Sequence, residues 1–358
     1  MTVAPVTTAS PTTTGRLYAL DAIRGFAVLL VLLRHAWSDV FGGAGIVGVV
    51  MFFALSGYLI TGVLERDIVR HGKVLYGRFY AHRAIRLVPA LVFMLAGFCL
   101  IEGLWDLTGA RSELVRTVLV SLTYTSNVPG LDHGSDTLGH LWTLATEEQF
   151  YLVWPIIIAV AIRYRSAKAA LVASAVVVTA LCAATIAIAG DQIDRVYNLP
   201  TSWCVAMVIG AAAWFGRRQL VSHRDIHMRA WRILQVLAPA GLVAVSLMPE
   251  MKSWPATYLL IGPLVALGTV VLIISFGDTR GVGPALARPL VRLGGISYAA
   301  YLWNYPISHW MGTPPLPFLG GLASIVLTIL AASASWLLVE KPMQRVRGLF
   351  DARSSRVS

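Results

Sequence analysis

Ionisable side chains lie inside the first long apolar stretch of the chain, Leu17–Trp37, which contains Arg24, Arg34 and His35. Arg24 and His35 are 11 residues apart, so on a helix they share one face, about 16 Å apart along the axis. Charged groups are costly in a bilayer, and each is by default a candidate functional residue. A cation at one end and an imidazole at the other suit an anionic cofactor whose reactive end reaches His35.

Two further stretches carry candidate residues. Glu147 and Glu148 are adjacent in an apolar segment and point about 100° apart on a helix, so we expect only one to face a given cavity. Arg83 and Arg86 precede the third apolar stretch, where guanidinium groups can clamp phosphates. The alternatives are a structural ion pair for the glutamates and topology determination for the arginines.

Composition indicates the elements that must position these residues. The chain has 358 residues, 57% of them hydrophobic and 13% charged, with a mean hydropathy of +0.70. Soluble domains carry about 25% charged residues, so the composition excludes a soluble enzyme and a disordered chain. It predicts an all-α, polytopic integral membrane protein. The net charge of +11 is attributed to cationic cytoplasmic loops rather than to nucleic-acid binding.

A membrane span needs about 20 mostly apolar residues, and ten stretches meet this need. They are Leu17–Trp37, Ala44–Leu64, Leu87–Leu104, Leu141–Ile162, Ala169–Ala189, Thr201–Phe215, Ile233–Met248, Ala256–Phe276, Val291–Met311 and Phe318–Val339. With both termini cytoplasmic, 23 of the 29 Lys and Arg residues fall in cytoplasmic segments, as the positive-inside rule requires. Val115–Tyr124 is then a re-entrant or interfacial segment. We expect a disordered tail over residues 1–16, one membrane domain over 17–340 and a basic cytoplasmic tail over 341–358.

Five stretches in register resemble the acyltransferase-3 family. They are Leu20–Ala27 with the following Arg34-His35, Phe52–Leu59, Arg83–Pro89, Trp142–Tyr151 and Ser297–Trp303. The resemblance runs from Leu20 to about Glu340. It implies a bacterial, multi-pass membrane enzyme that uses acyl-CoA, such as acetyl-CoA, to acylate sugars, envelope polysaccharides, peptidoglycan or secondary metabolites such as macrolides.

The resemblance also implies residue roles. Arg24 and His35 match an Arg-x10-His motif with His35 catalytic, Glu147 matches the family's glutamate, and Arg83 with Arg86 matches an Arg-x-x-Arg motif serving the donor. The chain departs from the family pattern at three positions. Thr143 stands where relatives usually carry Ser, and Trp203 stands where many carry Arg. Asn304 stands where the motif usually has the His of a His-x-Pro sequence. If positions 203 and 304 contact the acceptor or the donor, Trp203 and Asn304 predict an unusual or more apolar acceptor.

On this basis, His35 takes the proton of the acceptor hydroxyl as its oxygen attacks the thioester, and Glu147 holds the imidazole. Arg24, Arg83 and Arg86 hold the phosphates of CoA, and no metal is implied. Candidate substrate or oxyanion contacts are Ser56, Ser297, Tyr298, Tyr301 and Asn304. An acyl-histidine step, the acceptor, the acyl length, the side of the membrane and the oligomeric state are left open.

The main alternative is a proton-coupled transporter or flippase of an envelope precursor, in which buried His, Arg and Glu residues form a proton relay. A transporter of this kind predicts an internal repeat, and none is detected. A lipid-ester hydrolase is disfavoured because the sequence around Ser56 lacks the first glycine of a Gly-x-Ser-x-Gly elbow.

Overall fold

The computed structural model describes residues 18–276, 285–312 and 315–345. The predicted tail at residues 1–16 and most of the one predicted from residue 341 lie outside these ranges. The described residues form thirteen α-helices and no strand. Their bounds are α1 Tyr18–Ala36, α2 Ala44–His71, α3 Tyr76–Trp105, α4 Leu114–Leu122, α5 Trp142–Arg163, α6 Ala167–Ala189, α7 Pro200–Phe215, α8 Arg217–Ile226, α9 Met228–Ser246, α10 Gly262–Phe276, α11 Arg288–Gly295, α12 Ser297–Met311 and α13 Pro317–Ser335.

Short helical turns extend or connect these helices. Turns of 3₁₀ type cover Ala110–Glu113, Asp136–Leu141, Ile193–Asn198 and Ala285–Ala287. Turns of π type cover Thr257–Ile261, directly before α10, and Trp336–Glu340, directly after α13.

Seven helical segments in the described ranges are long and apolar enough to cross a membrane. They correspond to α2, α3, α5, α6, α9, α10 and α13, and the segments of α5, α10 and α13 include an adjoining turn or extension. Three other predicted spans correspond to helices that fall short of these limits. Of these, α1 carries Asp21, Arg24 and Arg34 within 19 residues, while α7 and α12 have only 16 and 15 residues. The count of ten therefore stays a prediction.

Three predicted elements differ in detail from the structure. The predicted span Val291–Met311 is two helices, because the chain leaves α11 at Gly295 and re-enters a helix at Ser297. The predicted loop around Arg83 and Arg86 is helical, since α3 already begins at Tyr76. The segment near Val115 forms the nine-residue helix α4, which at about 13 Å is too short to span a bilayer.

The helices divide into a central group and an outer group. Nearly three quarters of the apolar window of α2 is buried, and α2 contacts α1, α5, α7, α9 and α10. In contrast, α6 and α9 leave most of their apolar side chains exposed. Large exposed apolar surfaces are unusual on soluble monomers, so these outer faces fit contact with lipid chains.

A close approach between α1 and α11 positions the helix that carries Arg24 and His35. A Cβ built on Gly25 would lie 1.9 Å from the carbonyl oxygen of Leu290, and one on Gly294 would lie 1.8 Å from that of Asp21. Small residues at helix interfaces let backbones approach closely in membrane proteins. The depth and rotation of α1 therefore depend on these two glycines.

Candidate functional site

A pocket opens between α1, α2, α3, α5 and α12 at the Arg24 end of α1. It encloses about 1430 Å³, counting the part open to solvent, which is enough for a large ligand. Its lining includes eight predicted site residues and Glu148, which follows Glu147 in the sequence. The eight are Arg24, Ser56, Arg83, Arg86, Glu147, Ser297, Tyr298 and Tyr301. The fold thus brings together nearly all of the predicted site residues.

Both adjacent glutamates line this pocket, so the expectation that only one would face a cavity is wrong. Glu147 accepts a hydrogen bond of 2.6 Å from Ser56 Oγ on α2, and Glu148 accepts one of 2.6 Å from Arg83 on α3. The two carboxylates point apart as the helical period requires. The pocket contains both because it spans the gap from α2 to α3.

Arg83 is held on two sides. Its guanidinium contacts Glu148 and also lies over the ring of Tyr151, with Cζ 3.7 Å from the ring centroid, a cation–π geometry. Its charge is thus compensated within the protein. Arg24 lies 3.9 Å from Asp21 on the same helix.

His35 lies beyond the lining of this pocket, at the opposite end of α1. Its Nδ1–H donates to Oδ1 of Asn304 on α12, and Asn304 Nδ2 donates to Thr328 Oγ1 on α13 at 3.3 Å. Asn304 is only 1% exposed, so this chain of hydrogen bonds is shielded from solvent. With Nδ1 protonated, the lone pair of a neutral His35 resides on Nε2, and that nitrogen can accept a proton.

The predicted contact between Glu147 and His35 is not made. Glu147 binds Ser56, and Asn304 takes the position beside the imidazole. The reason is depth: His140, whose ring lies near the His35 region, precedes Glu147 by seven residues, about 10 Å along a helix. Any role of Glu147 in the chemistry is therefore exerted in the pocket and not at the imidazole.

Tyr301 lines the pocket and lies about one helical turn from Asn304. Its ring faces Phe52 of α2 at 6.3 Å, and its hydroxyl contacts Thr143 Oγ1 at 2.6 Å and donates to the His140 carbonyl at 3.0 Å. The pocket lining includes Thr143 on α5 and Tyr301 on α12. Asn304 and Tyr305 follow within the next helical turn of α12.

Several residues of this region were not assigned a role from the sequence. The ring of Tyr305 contacts His35, His140 and His309, with centroid distances of 5.0, 5.0 and 4.3 Å. His140 directly precedes the stretch that contains Glu147 and Glu148. Its position there is the sequence signal that could have identified it as a candidate site residue. Among the described residues, no group of three or more His, Cys, Asp or Glu side chains is placed to hold a metal.

Arg34, next to His35, belongs to an ion-pair network beyond the helix end. Glu250 lies 3.2 Å from Arg34 and 2.8 Å from Lys252, in the loop after α9. Partial burial alone would raise the pKa of Glu250, but Lys252 and Arg34 outweigh it and lower that pKa. Arg34 is thus engaged with Glu250 rather than with the pocket.

Residues 17–340 match the family model of an acyltransferase domain. The chain is 29% identical to the putative peptidoglycan O-acetyltransferase YrhL of Bacillus subtilis, over 94% of this chain and 56% of that protein. It is 26% identical to the O-acetyltransferase OatA of Staphylococcus aureus (91% and 57%) and to the peptidoglycan O-acetyltransferase OatA of Listeria monocytogenes (91% and 56%).

The chain spans little more than half the length of these relatives. No solved structure gives a significant match. The family model covers nine tenths of the sequence and includes all five recognised stretches. The chain therefore belongs to the acyltransferase-3 family.

Proposed function

We propose that this chain is a membrane O-acyltransferase that moves an acyl group, acetyl in the first instance, from acyl-CoA to a hydroxyl of a carbohydrate. One observation carries the proposal: α1 joins a basic pocket at Arg24 to a histidine at its other end whose Nε2 is free to act as a base. Because the relatives are named as peptidoglycan O-acetyltransferases, we infer a glycan of that type as acceptor. We place the enzyme in the bacterial cell membrane.

The donor is proposed to bind in the pocket. Arg24, Arg83 and Arg86 line it, and guanidinium groups suit the phosphates of CoA. Arg83 also contacts Glu148, so we propose that the three guanidinium groups share the phosphate contacts. We propose that the pantetheine arm extends past Tyr301, which lines the pocket, toward His35.

The reaction needs a base because an alcohol is a weak nucleophile at neutral pH. His35 Nε2 takes the hydroxyl proton as the oxygen attacks the thioester carbon. The new C–O bond forms, the C–S bond breaks, and the proton passes from the imidazolium to the CoA thiolate. Asn304 positions the ring throughout by keeping the Nδ1–H directed toward its own oxygen.

The test uses purified protein in sealed vesicles with labelled acetyl-CoA and two acceptors, a muropeptide and a macrolide. We expect label on the muropeptide, and we expect His35→Gln to lower the rate by on the order of 10² to 10⁴. Asn304→Leu should lower the rate in the same direction, because it removes the amide while keeping similar volume. The matched control is His71→Gln, since His71 lies exposed at the end of α2 and bonds only its own helix.

Transfer to the macrolide alone would show that the acceptor is a small molecule and not a glycan. Equal activity of wild type and His35→Gln would remove His35 from the mechanism. Intact acetyl-CoA with every acceptor, in vesicles and in whole-cell acylation assays, would favour the transporter.

A further inference from the structure

His140 is buried with both ring nitrogens unpaired. Its residue exposure is 6%, and neither nitrogen makes a hydrogen bond. The Leu302 carbonyl, which has no amide partner four residues later because residue 306 is proline, lies near the ring. An unsatisfied buried polar group lowers the stability of the fold. A bound ligand is one explanation for such a group.

The ring of His140 lies close to His35. Both imidazoles contact the ring of Tyr305 with centroids at 5.0 Å, His140 stacked on it and His35 edge-on. The two imidazole centroids are therefore no more than 10 Å apart. This upper limit is compatible with both imidazoles contacting one reacting acyl group.

The reaction requires a hydrogen-bond donor as well as a base. Negative charge develops on the carbonyl oxygen during attack, and a fixed donor stabilises it. Four of the predicted donors already donate within the protein: Ser56 to Glu147, Tyr298 to the Leu87 carbonyl, Tyr301 to the His140 carbonyl and Asn304 to Thr328. His35 itself must keep Nε2 unprotonated to act as the base.

We propose that His140 is a second catalytic residue, whose ring N–H donates a hydrogen bond to the carbonyl oxygen of the acyl group during transfer. A neutral imidazole carries one N–H donor, and His140 keeps that proton throughout. The proton that moves is the hydroxyl proton, which passes through His35 to the CoA thiolate. This inference rests on the proposed acyltransferase function and deepens it.

Two substitutions separate the donor from the ring. His140→Phe keeps an aromatic ring to stack on Tyr305 but has no N–H, whereas His140→Gln keeps an N–H donor without the ring. In the vesicle assay we expect His140→Phe to lower kcat by on the order of 10² to 10³, with KM for acetyl-CoA little changed. We expect His140→Gln to recover at least about tenfold over His140→Phe.

His309→Phe is the matched control. His309 also contacts Tyr305, but it is exposed and its Nδ1 bonds the Tyr305 carbonyl of its own helix. We expect His309→Phe to stay near wild-type activity. Elution as a single species and a Tm near that of wild type show that each variant is folded. If His140→Phe does not fold, His140→Asn and His140→Leu form a second pair with and without a donor.

Each outcome of these assays supports or contradicts the donor role of His140. Activity of His140→Phe within about threefold of wild type, with His35→Gln inactive, would show that His140 only packs. Equal losses in the donor-bearing and donor-free variants would also overturn the donor role while leaving the acyltransferase function intact. If wild type itself transfers no acetyl group to any acceptor, the proposed function fails and this inference falls with it.

Discussion

The pairing of His35 with Asn304 shows how one residue determines the chemistry open to another. An amide oxygen can only accept a hydrogen bond, so it holds the imidazole in one tautomer. Unlike a carboxylate, it offers no charge to stabilise an imidazolium.

Glu250 provides a residue-scale prediction of pH dependence. Because Lys252 and Arg34 lower its pKa below the ordinary value of 4.5, the ion pair contributes stability above that value. The contribution is lost as pH falls through the lowered pKa. We expect the detergent-solubilised wild type to have a higher Tm than Glu250→Gln at pH 7. The difference should shrink below about pH 4.

The control for this measurement is Asp39→Asn, since Asp39 is exposed and has no ion pair among the residues that the structure describes. Its Tm should follow that of wild type at every pH. A difference between wild type and Glu250→Gln that stays the same as the pH falls well below about 4 would contradict the ion-pair account.

At the scale of elements, the contact between α1 and α11 sets the position of the site. We expect Gly25→Ala to lower both Tm and acyl transfer, because its Cβ would lie 1.9 Å from the Leu290 carbonyl oxygen. The two helices must move apart, and Arg24 moves with α1. Thermal unfolding and the vesicle assay measure the two effects.

Gly103→Ala is the matched control on α3, because a Cβ there meets nothing within 4 Å. Alanine is preferred over glycine inside helices by about 1 kcal/mol, so this variant should be unchanged or slightly more stable. If Gly25→Ala behaved like Gly103→Ala, the close approach of α1 and α11 would not be important for the fold.

At the scale of the whole molecule, charge distribution predicts the orientation in the membrane. Both termini and α8 are predicted to be cytoplasmic, and the loop containing Glu250 is predicted to lie outside. In a chain whose native cysteines are replaced by alanine, Ser253→Cys should react with an impermeant maleimide on intact cells. Gln219→Cys, which is exposed on α8, should react only after permeabilisation.

Reaction of both cysteines on intact cells, or of neither, would mean that α9 does not cross the membrane. Complete labelling of both after permeabilisation is the control for access. The result bears directly on function, because it places the pocket at Arg24 and the His35 region on opposite sides of the bilayer.

Much of this protein follows from its sequence alone. Apolar runs of about 20 residues predict the helices because bilayer insertion depends on local hydropathy. The helical period also places Arg24 and His35 on one face of α1, since both belong to a single helix. The family, too, is evident from five stretches in register.

The partners of these residues required the tertiary structure. Asn304 is 269 residues from His35, and Glu148 is 65 residues from Arg83. Which side chains meet depends on the depth and rotation of each helix, and packing between neighbours sets both. A sequence therefore predicts the helices and the residues they carry, whereas the bundle decides that Asn304, rather than Glu147, holds the imidazole of His35.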